Sequence, residues 1–129
     1  MPIQAGKRAQ PSKDYWQRVV FPQALRFVWR HLLAARRVLV VCDRGDDRGP
    51  TVAAAALLAL FGPDAETLRE PGPPSGESRL GVGKEDVRAR LALLQGGYAA
   101  ARISRAHTKE LNNFFVSPTG GWRGLSLTA

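Results

Sequence analysis

The sequence predicts a single α/β domain dominated by helices, with one clear strand. The strand is expected at residues 38–41, a continuous apolar run typical of a buried central strand. A loop at 42–50, rich in glycine and aspartate, follows it. Residues 51–61 are almost wholly apolar and rich in alanine, which predicts a helix buried on nearly every side. Because one strand cannot form a sheet, the chain is either a mostly helical fragment or is completed by strands from outside it, and we expect the latter.

Apolar periodicity and end signals predict three further helices. Residues 22–35 carry apolar side chains at spacings of three and four, and Pro22 suits the first position of a helix. Residues 84–95 begin with acidic side chains and place apolar side chains on one face. Ser104 is a suitable N-cap for a helix that runs to about Val116.

The chain divides by composition into a domain and two ends. Residues 1–13 are polar and basic, which predicts a disordered arm. The domain is expected at 14–118, interrupted by a flexible insert at 70–83 that is rich in proline, glycine and serine. Residues 119–129 are interpreted as a C-terminal tail, within a loop that begins at Ser117.

The net charge of +8 is unevenly distributed. Residues 1–41 carry +7, residues 42–83 carry −3 and residues 84–129 carry +4. A basic chain with an acidic middle favours a polyanionic partner that the two ends contact, although solubility alone is an alternative explanation. No apolar run is long enough for a membrane helix, and the first residues do not resemble a signal peptide. We therefore expect a cytoplasmic protein without membrane contact.

Cys42 is the single cysteine, and its neighbours favour a phosphate-binding loop over a structural cysteine. Five residues separate Cys42 from Arg48, between the predicted strand and the buried helix. In such a loop, backbone N–H groups bind the anion, the arginine clamps two oxygens and a stabilised thiolate acts as a nucleophile. The predicted phosphate-binding residues are Gly45, Asp46, Asp47, Arg48, Gly49 and Thr51.

The stretch VLVVCDRGDDRGPT resembles the catalytic loop of dual-specificity phosphatases, which implies a protein-tyrosine-phosphatase-like fold. The resemblance implies that Cys42 is the nucleophile and Arg48 the clamp. That family also has an upstream aspartate as general acid, and Asp14 is the sole upstream carboxylate. Val41 stands where these phosphatases have histidine, and Gly49 where they have serine or threonine. The three aspartates of the loop also oppose a dianionic ligand.

A longer resemblance, from about Trp16 to Trp122, is to the C-terminal phosphatase-like domain of the initiator tRNA adenosine-64 2′-O-ribosylphosphate transferases. In the loop, Asp46 departs from the family's lysine, and residues 49–51 depart from its Ser-Val-Gly. The matching residues are Cys42, Asp43, Gly45, Asp47, Phe61, Lys84, Val87, Arg88, Arg90, Leu91, Ser104, Arg105, Asn112, Phe114 and Phe115.

This resemblance implies a transferase that moves a phosphoribosyl group from 5-phosphoribosyl 1-diphosphate to the 2′-hydroxyl of adenosine 64 in initiator tRNA. Its partners would be initiator tRNA and an N-terminal domain of the same enzyme, without which this chain is expected to be inactive. No cofactor is implied for the chain itself. The alternatives are a small cysteine-dependent phosphatase and a catalytically dead module that binds phosphate or RNA.

Basic and aromatic side chains suit contact with tRNA. Trp16 and Trp122 lie next to basic residues and would stack on bases or else close the core. His31 and His107 are isolated in the sequence, so we interpret them as surface or edge residues and predict no metal site. The predicted tRNA-binding residues are Arg44, Lys84, Arg88, Arg90, Arg102, Arg105 and Lys109.

Overall fold

The computed structural model describes residues 14–43, 45–62, 68 and 82–127. The predicted arm at 1–13 lies outside the described residues, and so does the predicted insert at 70–83 except for its last two residues. The elements in chain order are a π-helical turn at Trp16–Val20, α1 at Phe21–Leu33, α2 at Arg48–Leu60, α3 at Lys84–Gly97, α4 at Arg105–Phe115 and a 3-10 turn at Gly121–Gly124.

Helix α2 is the centre of the domain and contacts α1, α3 and α4. Its small side chains, among them Ala54, Ala55 and Ala59, are at most 1% exposed and allow the neighbouring helices to approach closely. The prediction of a helix buried on nearly every side is therefore confirmed. The helix begins three residues earlier than expected, at Arg48, since Gly49 and Pro50 are tolerated in the first turn, where N–H groups lack helical partners.

The amphipathic helix expected at 22–35 forms as α1, whose buried face includes Phe21, Leu25 and Trp29. Its preceding turn is also helical, which the sequence pattern did not indicate. On the polar side of α1, the Arg26 Nε donates to the carbonyl oxygen of Ser126 at 2.9 Å. This bond ties α1 to the C-terminal segment.

Capping interactions fix the starts of α3 and α4. The Asp86 carboxylate accepts the N–H of Gly83 at 2.7 Å, just before α3. The Ser104 hydroxyl accepts the N–H of His107 at 3.2 Å, so the predicted N-cap is confirmed. Among the helices of the described ranges, none combines the length and apolar character that a membrane crossing requires.

The buried strand predicted at 38–41 is not confirmed in the described part of the chain. The segment has no strand partner there and is assigned no regular secondary structure. Val38 and Val40 pack half-buried against the core, whereas Leu39 is 85% exposed and Val41 66% exposed. One face of the segment is thus covered and the other is bare, because no described residue pairs with it.

The segment after α4 also differs from the predicted loop and tail. Its 3-10 turn inserts Trp122, only 2% exposed, against Phe115, with ring centroids 5.6 Å apart. Leu125 is buried beside it at 6% exposure. The prediction that Trp122 stacks on bases is therefore wrong, because its ring has no free face. Trp16 is half-buried and packs against the core, which agrees with its role as an edge residue.

Candidate phosphate-binding site

The loop from Cys42 to Arg48 connects the bare 38–41 segment to the start of α2. The Sγ atom of Cys42 accepts the N–H of Gly45 at 3.2 Å and the N–H of Gly49 at 3.1 Å. Two backbone dipoles therefore converge on the sulfur from the loop and from the first turn of α2. This convergence of N–H groups at a helix start is the arrangement that binds anions in phosphate-binding loops.

Both glycines are required by this geometry. Gly45 has φ +70°, the left-handed region that side chains disfavour. A Cβ atom at Gly49 would lie 3.1 Å from the Cys42 sulfur, so a larger residue would displace the thiol or the helix start. The loop conformation thus explains the glycines that the sequence analysis singled out.

The Asp47 carboxylate is bonded to the start of α4. Its Oδ1 accepts the N–H of Ser104 at 2.8 Å and lies 2.7 Å from the His107 Nδ1. Partial burial raises the pKa of Asp47, but the Ser104 hydrogen bonds and the His107 imidazole outweigh it and hold the pKa below its ordinary value. Asp47 therefore anchors the loop to a helix that lies far away in sequence.

We expect Asp47→Asn to lower the free energy of unfolding by about 1–2 kcal/mol at neutral pH, because a hydrogen-bonded carboxylate at 30% exposure is lost. The lowered pKa means that this stabilisation is present at neutral pH and disappears as the pH falls through the folded-state pKa. Urea unfolding at pH 7 and pH 3 should show that the difference in free energy of unfolding between wild type and variant becomes smaller in acid. A gap of equal size at both pH values would contradict the assigned role.

The other predicted phosphate-binding residues occupy varied positions. Thr51 is fully buried, and its hydroxyl donates to the Asp47 carbonyl oxygen at 2.7 Å, so it supports the first turn of α2. Asp46 uses its carbonyl oxygen to accept the N–H of Arg102. Arg48 is half-buried as the first residue of α2.

Asp14, the candidate general acid, is the first described residue and is paired with Arg18. Its Oδ2 is 3.0 Å from the guanidinium one helical turn on, and the two side chains are 45% and 76% exposed. Within the described ranges, no group of three or more histidine, cysteine and acidic side chains is placed to hold a metal ion.

The predicted tRNA-binding residues that the structure describes are all exposed except Arg90. Arg90 is only 7% exposed and donates to the Gly62 carbonyl oxygen at 2.9 Å, which secures the end of α2 against α3. Arg44 lies outside the described residues. The exposed members are Lys84, Arg88, Arg102, Arg105 and Lys109.

The comparison with protein families bears directly on this loop. A family model described as the Rit1 DUSP-like domain, of the initiator tRNA phosphoribosyl transferases, matches residues 1–115. The chain belongs to this family. The match includes the loop and all four α-helices, and ends just before the segment that carries Trp122. Neither the curated proteins nor the solved structures yielded a match.

Two residues of this DUSP-like domain contact the loop, and the sequence analysis did not predict either contact. His107, interpreted as a surface residue, is 17% exposed at its side chain and bonds to Asp47. Tyr98 brings its hydroxyl against the loop, since a Cβ atom at Gly45 would lie 3.1 Å from that oxygen. No local pattern marks either residue, because both reach the loop only through the packing of helices distant in sequence.

Proposed function

We propose that this DUSP-like domain binds a phosphate group in the loop from Cys42 to Arg48, as part of an enzyme that modifies initiator tRNA. The phosphate belongs either to the tRNA or to the donor 5-phosphoribosyl 1-diphosphate. The reaction transfers a phosphoribosyl group to the 2′-hydroxyl of adenosine 64. The observation that carries the proposal is the convergence of the Gly45 and Gly49 N–H groups on the Cys42 sulfur.

The electrostatics of the loop support anion binding better than the sequence suggested. Of its three carboxylates, that of Asp47 is hydrogen-bonded to Ser104 and His107, which offset its negative charge. Asp43 is exposed, so solvent screens its repulsion of an anion. The positive end of α2 begins at Arg48, next to the Gly49 N–H, and favours an anion there.

The exposed basic residues of α4 add positive charge that could contact further phosphates of a polyanion. Arg105 and Lys109 lie one helical turn apart, and Arg102 precedes them with its N–H bonded to the loop at Asp46. Guanidinium and ammonium groups so arranged suit successive phosphates of an RNA backbone. We leave Arg90 out of this surface because its guanidinium packs inside the domain.

We also propose that another part of the same enzyme covers the bare face at 38–41. The extended residues line a groove with Ala24, Phe27, Val28 and Val52, and the exposed Leu39 and Val41 continue it. Apolar side chains on a segment without strand partners are typical of a strand that completes a sheet with other residues. The cytoplasm remains the expected location.

A cysteine-dependent phosphatase is the second candidate, favoured by the two N–H groups that meet the Cys42 sulfur. Two features weigh against it. Val41 stands in the position of the phosphatase histidine, and Asp14 is engaged with Arg18 in an exposed pair. Hydrolysis of a phosphate ester that disappears in Cys42→Ser would decide in favour of this candidate.

Arg48→Ala tests the anion site itself. We expect the affinity for inorganic phosphate to fall at least about ten-fold, because a guanidinium that clamps two oxygens makes charge-assisted hydrogen bonds. Isothermal titration calorimetry with phosphate at low salt measures the change. Arg30→Ala, which removes an exposed guanidinium from α1, is the matched control and should leave the affinity unchanged. Equal affinities of wild type and Arg48→Ala would contradict a phosphate site in this loop.

A further inference from the structure

We infer that Tyr98 and Arg102 form a nucleotide-binding wall, in which Tyr98 stacks on the base of an RNA nucleotide whose phosphate the loop holds. This inference rests on the proposed phosphate binding at Cys42 to Arg48. It assigns a ligand contact to Tyr98. It also narrows the ligand class of the loop to a nucleotide within RNA.

The backbone of residues 98–102 is held against the loop. The Tyr98 N–H donates to the Leu94 carbonyl oxygen at 2.8 Å at the end of α3, and the Ala101 N–H returns to the Tyr98 carbonyl oxygen at 3.0 Å. The Arg102 N–H then donates to the Asp46 carbonyl oxygen. The backbone of this turn is therefore bonded to α3 at one end and to the loop at the other.

Tyr98 is placed for contact with a ligand rather than for packing. Its side chain remains 46% exposed although it touches the loop, since its hydroxyl lies 3.1 Å from where a Cβ atom of Gly45 would be. A tyrosine side chain contributes most to binding free energy when its ring is buried against a partner. A planar group carried by the bound phosphate would cover this ring, and each nucleotide base presents such a plane.

Arg102 adds the second element of nucleotide recognition. Its side chain is exposed, and its backbone touches the same loop as Tyr98. An aromatic ring and a guanidinium on one short segment, 98–102, suit a base and a backbone phosphate of single-stranded RNA. The exposed Arg105 and Lys109 continue the positive charge along α4.

A phosphotyrosine peptide would also offer a phosphate and a planar ring. The charge of the chain favours RNA, because the net charge of +8 and the exposed Arg102, Arg105 and Lys109 suit repeated phosphates. A phosphopeptide carries one phosphate and gives these cations no further partners. Binding of such a peptide is therefore one of the outcomes that the test must separate.

The test compares Tyr98→Ala, Tyr98→Phe and Leu93→Ala. Leu93 is a similarly exposed apolar side chain of α3, at 51%, and serves as the matched control. Fluorescence anisotropy measures binding of initiator tRNA and of a phosphotyrosine peptide, and calorimetry measures binding of inorganic phosphate. We expect Tyr98→Ala to weaken tRNA binding about ten-fold, the loss typical of one stacked base, and to leave phosphate binding unchanged. Tyr98→Phe keeps the ring and should bind tRNA like wild type.

The outcomes separate this inference from the proposed function. If Tyr98→Ala binds tRNA with wild-type affinity and still binds phosphate, base stacking on Tyr98 is refuted. The proposed phosphate site in the loop is then unaffected. Loss of peptide binding in Tyr98→Ala, without loss of tRNA binding, overturns the RNA assignment. If wild type fails to bind inorganic phosphate, the phosphate site itself is refuted, and the inference that rests on it is overturned as well.

Discussion

Gly120→Ala is expected to destabilise the domain by about 3 kcal/mol or more. A Cβ atom at Gly120 would overlap the backbone carbonyl oxygens of Asn113 and Phe114. Backbone atoms of α4 cannot move aside as a flexible side chain can. The clash would therefore separate α4 from the segment that inserts Trp122 into the core.

Gly124→Ala is the matched control, since a Cβ atom at Gly124 meets nothing within 4 Å. It lies in the 3-10 turn that Gly120 precedes and should change the free energy of unfolding by no more than about 0.5 kcal/mol. Urea unfolding followed by tryptophan fluorescence measures both variants. Similar stabilities of Gly120→Ala and Gly124→Ala would show that the segment after α4 does not pack as described.

Gly45→Ala is expected to have the largest effect of a single methyl group on the loop. An alanine held at φ +70° costs about 1–2 kcal/mol, and its Cβ atom would also crowd the Tyr98 hydroxyl at 3.1 Å. The loop would relax by moving the Gly45 N–H away from the Cys42 sulfur. Calorimetry with inorganic phosphate should then show an affinity at least about ten-fold weaker, because the loop amides would lose the convergent arrangement that we propose for the anion.

Gly96→Ala is the control for this second prediction, because its Cβ atom meets nothing within 4 Å in the last turn of α3. Its phosphate affinity should equal that of wild type. Gly45→Ala with unchanged phosphate affinity, in a folded protein, would mean that the loop amides do not hold the anion.

The helices were predictable from the sequence because their signals are local. Exposing the alanine-rich run of α2 to water would be unfavourable in free energy, so its burial follows from composition. The cap at Ser104 follows from the side-chain oxygen that precedes α4. The spacing of Cys42 and Arg48 around Gly45 likewise predicted a tight loop at a helix start, and the loop has that form.

The remaining features depend on partners that local patterns do not reveal. The apolar run at 38–41 predicts a covered strand, but covering needs residues that the described chain does not place there. The bond between Asp47 and His107 spans sixty positions, so each residue alone resembles a surface residue. Trp122 follows a glycine-rich stretch that is typical of loops, and only the surface of α4 explains its burial.

The most direct test of the central claim is binding of initiator and elongator tRNA at low and physiological salt, with para-nitrophenyl phosphate hydrolysis measured on the same sample. We expect tRNA binding that weakens steeply as salt rises, because cations of α4 and the loop replace counterions on the RNA. We expect no hydrolysis of the phosphate ester. Hydrolysis that disappears in Cys42→Ser, together with no binding of either tRNA, would contradict the claim and identify the chain as a phosphatase.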